Sequence, residues 1–279
     1  MCRKTVYLIL GILALSVAVT GTAQALDPDL VGWWRLDDGA GTTALDASGN
    51  GNDGALQGDT SWTTGYLGMA VEFDGVDDYV DVPHAENLTA DTEVTVMAWI
   101  NTPRHKGPDD ATWQGILSKS NAPRSYSFYT RDGATLHFSV GPSGAYVGSG
   151  SSSAVPVPLD EWAHVCAMVI DGHHQYYVNG EDAGTGGEGT VMPGADDTGP
   201  VVIGRTGEGA GRSFLGMIDD VRIYMRGLTQ EEVQDAMLGG GLSQAYGPDP
   251  ADGAIYENTW VTLSWKPGDF CRFPRCVHG

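Results

Sequence analysis

Turn signals recur roughly every ten residues along most of this chain, with short runs of alternating apolar and polar residues between them. Asp171-Gly172 and Asn179-Gly180 divide "HVCAMVIDGHHQYYVNGE" into three such runs, and Asp132-Gly133 divides "TRDGATLHFSV" into two. These dipeptides favour tight hairpin turns because both of their residues tolerate positive φ. With many candidate strands and almost no helical period, the sequence predicts an all-β protein built as a two-sheet antiparallel sandwich.

One short helix is also predicted. Thr229 is a candidate N-cap, Glu232 would complete a capping box, and Leu228 with Val233 would form a hydrophobic staple. The helix should run to about Leu238 and end at the glycines that follow. A helix this short is not stable alone, so we expect it to pack on the sandwich.

The N-terminus has the pattern of an export signal. Arg3 and Lys4 precede the apolar run "VYLILGILALSVAV", and "AQA" at 23–25 is a small-residue cleavage site. The apolar run is shorter than the roughly 20 residues of a spanning helix, which argues against a membrane anchor. We therefore predict a signal peptide at 1–25, a sandwich domain at 26–246, and a secreted or cell-surface location with no membrane span after cleavage.

Charge excludes some partners. The net charge is −21, from 36 acidic and 15 basic residues. Such a chain repels nucleic acid and anionic membranes, so neither is an expected partner.

The run "GMIDDVRIY" raises a specific question about two adjacent carboxylates. If the run alternates as a regular strand, Met217, Asp219, Val221 and Ile223 share one face, and the apolar residues place that face in the core. A buried, unpaired carboxylate is costly. The pattern therefore predicts that another group holds Asp219.

Several segments, in order, resemble one family. They are "GWWRLDDGAGTTALDASGNGNDGAL", "AVEFDGVDDYVDVP", "VTVMAWI", "EWAHVCAMVIDGHHQYYVNG", "VVIGR" and "FLGMIDDVRIYMRGLTQEEV". Together they are similar to laminin-G-like, concanavalin A-like jelly-roll domains of exported bacterial proteins, over roughly residues 30–238. The resemblance implies a jelly-roll sandwich. It implies less about function, because this fold carries lectins, adhesion modules, glycanases and spacers.

The resemblance also implies a structural calcium ion, Ca²⁺, between an N-terminal acidic turn and the last strand. The turn "DASGNGND" would offer Asp46, Asn50 and Asn52 with backbone carbonyls, and Asp219 or Asp220 would offer the opposing carboxylate. Two structural alternatives stay open. Asp220 could pair with Arg222, and Asp46 could bind the amides that follow it.

A second acidic run, "FDGVDDYVDVP", has two interpretations. It could form another cation site, or it could be a hairpin that turns at Asp74-Gly75 with solvated acids beyond the turn. We favour the hairpin.

The sequence gives little support for a catalytic site. Glycanases need two carboxylates that flank the scissile bond, and the best-known group on this fold places them as Glu-x-Asp-x-Glu on one strand. That triplet does not occur in the sequence. Adjacent Asp219 and Asp220 would point to opposite faces of a regular strand, so an enzyme is the least favoured interpretation.

Binding is better supported. Sugars pack on aromatic faces, and planar polar groups fix their orientation. The candidate ligand-binding residues are Trp113, Arg124, Tyr126, Tyr129 and Arg131. The first hypothesis is a non-catalytic module that binds a glycan, and the second is an adhesion or spacer domain that binds a cell-surface protein.

The C-terminal segment differs in pattern. After a linker-like "GPDPADGA", the run "WVTLSWKPGD" resembles the start of a fibronectin-type-III-like domain, and the Cys-containing end departs from it. We predict that 247–279 comprises this linker and the truncated start of a second β-sandwich domain. Sequencing of the DNA beyond the last codon tests this prediction.

Overall fold

The computed structural model describes residues 26–105, 113–120, 124–131, 133–141, 151–186, 193–195, 197–206 and 212–240. The predicted signal peptide, the last residues of the predicted sandwich domain and the predicted second domain lie outside this range. The described residues form two antiparallel sheets and a single α-helix. This confirms the all-β sandwich.

Sheet A has the strand order β14-β13-β12-β7-β16-β5-β4, and β1 pairs with the second half of β16. Its strands are β1 (Leu30–Trp34), β4 (Ser61–Thr64), β5 (Met69–Asp74), β7 (Val94–Asn101), β12 (Ala163–Ile170), β13 (His173–Val178), β14 (Glu181–Gly186) and β16 (Leu215–Tyr224).

Sheet B has the order β11-β10-β9-β8-β15-β6-β3-β2. Its strands are β2 (Thr43–Ala44), β3 (Gly54–Gln57), β6 (Tyr79–Val82), β8 (Trp113–Ser120), β9 (Arg124–Arg131), β10 (Thr135–Gly141), β11 (Ser151–Ser152) and β15 (Val201–Ile203). A 3₁₀ turn (Glu86–Leu88) precedes β7.

The predicted hairpins of β12, β13 and β14 are present. Asp171 and Gly172 have φ of 50° and 74°, and Asn179 and Gly180 have φ of 52° and 74°. Two successive residues with positive φ define the primed turns that match strand twist. The strands around Gly133 also pair as predicted, as β9 with β10.

The predicted hairpin at Asp74-Gly75 is wrong. β5 belongs to sheet A and β6 to sheet B, so the segment between them crosses from one sheet to the other. Asp78 holds this crossing, because its two carboxylate oxygens accept hydrogen bonds from the N–H groups of Asp59 (2.7 Å) and Asp74 (2.9 Å). Asp78 is buried rather than solvated, and burial raises the pKa of its carboxyl. Sequence alternation identified both strands but carries no information on their partners.

The main core lies between the inner faces of the two sheets. Its side chains include Trp34, Phe73, Phe128, Phe138 and Val165, all of them buried. The Trp34 indole donates a hydrogen bond to the Asn52 carbonyl at 2.8 Å, so this large side chain has a polar partner inside the core.

The predicted helix is α1 (Gln230–Met237), and its capping box forms as expected between Thr229 and Glu232. It packs on the outer face of sheet A, where a second apolar cluster includes Leu228, Val233, Met97 and Tyr224. No helix among the described residues is both long and apolar enough to cross a membrane.

A β-bulge in β16 corrects the predicted faces. Asp219 pairs with Trp99 and Arg222 with Met97, so two residues of β16 oppose one residue of β7. Asp220 is the extra residue and has a φ of 48°. The side chains before and after Asp220 therefore follow opposite patterns of inward and outward alternation. Ile218, Val221 and Ile223 point into the main core, whereas Asp219 and Arg222 lie on the outer face of sheet A.

Candidate functional site

The outer face of sheet B brings together most of the predicted ligand-binding residues. Trp113 on β8 lies opposite Arg131 on β9, and Tyr129 on β9 lies opposite His137 on β10. Directly paired residues share a face, and so do residues two apart on one strand. Phe128 and Phe138 point the other way into the core. We call Trp113, Arg124, Tyr129, Arg131, His137 and Ser139 the Trp113 cluster.

Aromatic and cationic contacts organise this cluster. The Trp113 ring centroid lies 4.8 Å from that of His137 and 5.3 Å from that of Tyr129. The Arg131 guanidinium carbon lies 4.6 Å from the Trp113 centroid, which is cation–π distance. Tyr129 and His137 stack at 5.4 Å with an interplanar angle of 12°. The rings thus support one another, while Trp113 and Arg131 remain only half-buried.

Hydrogen bonds fix the polar part of the cluster. Arg124 Nη1 donates to Ser139 Oγ at 2.6 Å, and the hydroxyls of Tyr129 and Ser139 are also 2.6 Å apart. His137 Nδ1 lies 3.1 Å from Ser152 Oγ. Burial, aided by the charge of Arg131, lowers the pKa of His137 to about 4. The imidazole is therefore neutral at pH 7.

Tyr126 departs from the prediction. Its ring is fully buried in the core between the sheets, and its hydroxyl donates to the Leu88 carbonyl at 2.8 Å. It lies on the opposite face of β9 from Tyr129, so it is not part of the cluster. Arg124 reaches the cluster because the β8–β9 and β9–β10 pairings both change register at the start of β9.

The sequence interpretation missed His137 and Ser139. Both occur in "TLHFSV", where polar residues alternate with the core residues Leu136 and Phe138. That period of two was visible, but the cross-strand pairing of His137 with Tyr129 requires the register of the hairpin.

A row of small side chains extends the same face. Ser139 pairs with Ser127, Ser127 with Ser118, and Ser118 with Val202. Ser127 Oγ is buried and has no hydrogen-bond partner among the described residues. All four side chains are buried, so this row does not extend the open surface beside the Trp113 cluster.

The predicted calcium ligands of the N-terminal turn lie together. One Asp46 oxygen accepts from the N–H groups of Trp33 (3.0 Å) and Ser48 (2.9 Å), and the other accepts from the Asn52 N–H (2.9 Å) and the Ser48 hydroxyl (2.8 Å). The side-chain amides of Asn50 and Asn52 donate to the carbonyls of Leu30 and Val31. These bonds fasten the turn to β1, as in the alternative interpretation of Asp46.

Asp219 and Asp220 have other partners. Asp219 Oδ2 accepts from the N–H groups of Tyr66 and Leu67, both at 2.8 Å, and Asp219 Oδ1 has no partner among the described residues. Asp220 accepts from Arg222 Nη2 at 2.8 Å and from the Trp33 indole. This pair is the predicted alternative to calcium. These contacts match the structural alternatives for Asp46 and Asp220, and calcium binding at this turn stays a prediction.

Asp74, Asp77 and Asp78 are the group of described acidic, His or Cys residues whose ligand atoms lie within 4.8 Å of one another. Asp74 and Asp77 are exposed. Hydrogen bonds from the backbone of the crossing to Asp74 and Asp78 account for this proximity, because the acidic side chains stabilise the turn itself.

Comparison with known proteins identifies the fold. Residues 74–234 match the family described as the concanavalin A-like lectin/glucanases superfamily. Among curated proteins, none matches the sequence.

Three solved structures illustrate the likeness. Domain 4 of an extracellular arabinanase from Geobacillus stearothermophilus, solved with arabinotriose, has a TM-score of 0.59 at 18% identity, covering 75% of this chain and 98% of that one. The binding domain of Paraclostridial Mosquitocidal Protein 1 has a TM-score of 0.57 at 16% identity, covering 75% and 51%. A Trypanosoma rangeli sialidase, solved with an inhibitor, has a TM-score of 0.54 at 18% identity, covering 74% and 32%. At these identities the likeness concerns the fold.

Proposed function

Because the chain belongs to the concanavalin A-like lectin/glucanases superfamily, we propose that it is a non-catalytic carbohydrate-binding module of an exported protein, and that glycan binds at the Trp113 cluster. The observation that carries this proposal is the half-buried Trp113 ring, supported by Tyr129 and His137 and flanked by Arg131.

The chemistry of the cluster suits a sugar. The C–H face of a sugar ring packs on an indole, while hydroxyl groups need polar partners at its edge. The guanidinium of Arg131 and the imidazole of His137 lie beside the ring and offer such partners. Mutual packing of these side chains lowers the entropy lost on binding, since their rotamers are already restricted.

Binding fits the cluster better than cleavage. Glycoside hydrolysis uses two carboxyl groups on either side of the scissile bond. The described groups that stack on or lie over the Trp113 ring are the phenol of Tyr129, the imidazole of His137 and the guanidinium of Arg131, which suit binding rather than acid–base cleavage. The export signal predicted at 1–25 and the net charge of −21 are compatible with a module that meets glycans outside the cell.

We predict that Trp113→Ala weakens glycan binding by about tenfold or more, the equivalent of about 1.4 kcal/mol. A glycan array would first identify a ligand for the full chain, and titration calorimetry would then compare the variants. Trp62→Ala is the matched control, because Trp62 is another half-buried indole but lies on sheet A. Equal affinity of Trp113→Ala and the wild type would overturn the proposed site. Turnover of a polysaccharide would overturn the non-catalytic assignment.

Structural calcium remains a separate proposal, suggested by the family resemblance and by the acidic turn at Asp46. An ion that binds only the native state raises the melting temperature by mass action. The proposal therefore predicts that EDTA lowers the melting temperature and that excess calcium restores it. Differential scanning calorimetry with Mg²⁺ as the control checks this. A melt that neither reagent changes would remove calcium from the account.

A further inference from the structure

Tyr66 is an exposed aromatic residue on the outer face of sheet A, on the opposite side of the sandwich from the Trp113 cluster. It is 46% exposed, whereas most large aromatic side chains of the described residues are buried. One face of its ring stacks on Trp99 with centroids 3.5 Å apart and an interplanar angle of 20°. Stacking on one face, with nearly half of the residue exposed, makes Tyr66 a candidate surface for a ligand ring.

The position of Tyr66 is fixed by its backbone. Gly65 N–H donates to the Gly68 carbonyl at 2.9 Å and closes the turn between β4 and β5. The N–H groups of Tyr66 and Leu67 both donate to Asp219 Oδ2 at 2.8 Å. The bulge in β16 aims this carboxylate at the turn. Because Trp99 stacks on one face of the Tyr66 ring and Asp219 binds the Tyr66 backbone, the ring loses little conformational entropy when a ligand packs on it.

Trp99, which supports Tyr66, is itself fixed. Its indole Nε1 donates to the Met237 carbonyl at the end of α1, at 3.1 Å, and its ring packs against His164 at 5.4 Å. The stack therefore rests on the sheet and on the helix together.

The surroundings combine apolar and polar groups. Trp162 is half-buried and lies 6.4 Å from Tyr66 at a tilt of 58°. Asp160 and Glu161, which directly precede Trp162, are exposed. Leu67 lies beside Gly239 at the end of α1. We call Tyr66, Leu67 and Trp162 the Tyr66 platform.

We propose that the Tyr66 platform is a second carbohydrate site, separate from the Trp113 cluster, and that it takes a neutral sugar ring. A flat aromatic surface fits the C–H face of a sugar, as the stacked and partly exposed Tyr66 ring would provide. An anionic sugar would be repelled by Asp160 and Glu161 and by the net charge of −21. Two sites on opposite sheets would let one domain contact two glycan chains.

The test uses the full chain and a panel of neutral probes: arabinotriose, cellotriose and xylotriose. Two-dimensional ¹H–¹⁵N NMR would follow the indole N–H signals of Trp99 and Trp162 during titration. We expect saturable shifts of these signals with at least one probe, loss of the shifts in Tyr66→Ala, and retention in Tyr66→Phe, which keeps the ring. Trp113→Ala should leave them in place.

Absence of shifts at Trp99 and Trp162 with all three probes would overturn the second site, as would shifts that persist in Tyr66→Ala. Either result leaves the Trp113 cluster untouched, because that site has its own indole signal. Conversely, shifts confined to Trp99 and Trp162 would support the second site and contradict the first.

Discussion

Arg222→Ala is expected to lower the free energy of unfolding by about 3–5 kcal/mol, because it leaves a buried carboxylate without its cation. Arg222 is fully buried, donates to Asp220 at 2.8 Å, and lies with its guanidinium carbon 4.4 Å from the Trp33 ring centroid. Its Nη1 also donates to the Gly240 carbonyl after α1. The substitution removes the ion pair, the ring contact and the bond to the helix end together.

A matched control is available on the same aromatic ring. Arg35 lies 5.6 Å from the Trp33 centroid and pairs with Asp37 at 3.1 Å, but its side chain is 44% exposed. Exposed pairs contribute roughly 0–1 kcal/mol, so Arg35→Ala should change stability little. Urea unfolding of both variants measures the contrast. A loss below about 1 kcal/mol for Arg222→Ala, in the range of an exposed pair, would contradict the role of the buried pair.

Asp219 should make stability depend on pH in an unusual direction. Burial raises the pKa of its carboxyl from 3.8 to about 7, despite the two backbone N–H groups that lower it, and the charges of Asp220 and Asp37 act in the same direction as burial. The folded state therefore holds a proton that the unfolded state releases. Between pH 4 and pH 7 this group makes the protein less stable as pH rises, by up to about 4 kcal/mol.

Four histidines have the opposite effect on the pH dependence of stability. Burial lowers their pKa values below 6.5, so each contributes stability that is lost as pH falls; they are His105, His137, His164 and His174. Asp219→Asn keeps an oxygen acceptor for Tyr66 and Leu67 but cannot titrate. We expect the unfolding free energy of the wild type, relative to Asp219→Asn, to fall between pH 4 and pH 8. If the unfolding free energies of the two proteins instead change with pH in parallel, Asp219 is ionised in the folded state throughout this range and its pKa is not raised.

Much of the fold could be predicted from local pattern. The Asp-Gly and Asn-Gly turns, the alternation of β12 and β13 and the capping box of α1 are local features, and the structure has each of them. The sheet to which a strand belongs depends on pairing with strands that are distant in the sequence. β5 and β6 follow one another in the chain yet lie in different sheets, and nothing in "FDGVDDYV" marks the crossing.

The candidate site also combines features that the local sequence predicts with features that depend on residues distant in the sequence. The sequence predicts Trp113 as a ligand-binding residue, but its supporting partners depend on strand register. Asp219 shows how one inserted residue changes an interpretation, since the bulge at Asp220 reverses the faces that regular alternation predicts. The sequence around Tyr66 indicates only a glycine-containing turn. Its position on the outer face of sheet A depends on contacts with Trp99 and Asp219, which are more than thirty positions away in the chain.

We propose that glycan binds on the outer face of sheet B, at the Trp113 cluster. The most direct measurement is a ¹H–¹⁵N NMR titration of the full chain with a glycan selected on the array, following the indole N–H signals. We expect a saturable shift of the Trp113 signal, with the signals of the buried Trp33 and Trp34 unchanged, and binding by Trp113→Ala that is about tenfold weaker or more in calorimetry. Saturable binding that leaves the Trp113 signal in place would contradict the proposed site.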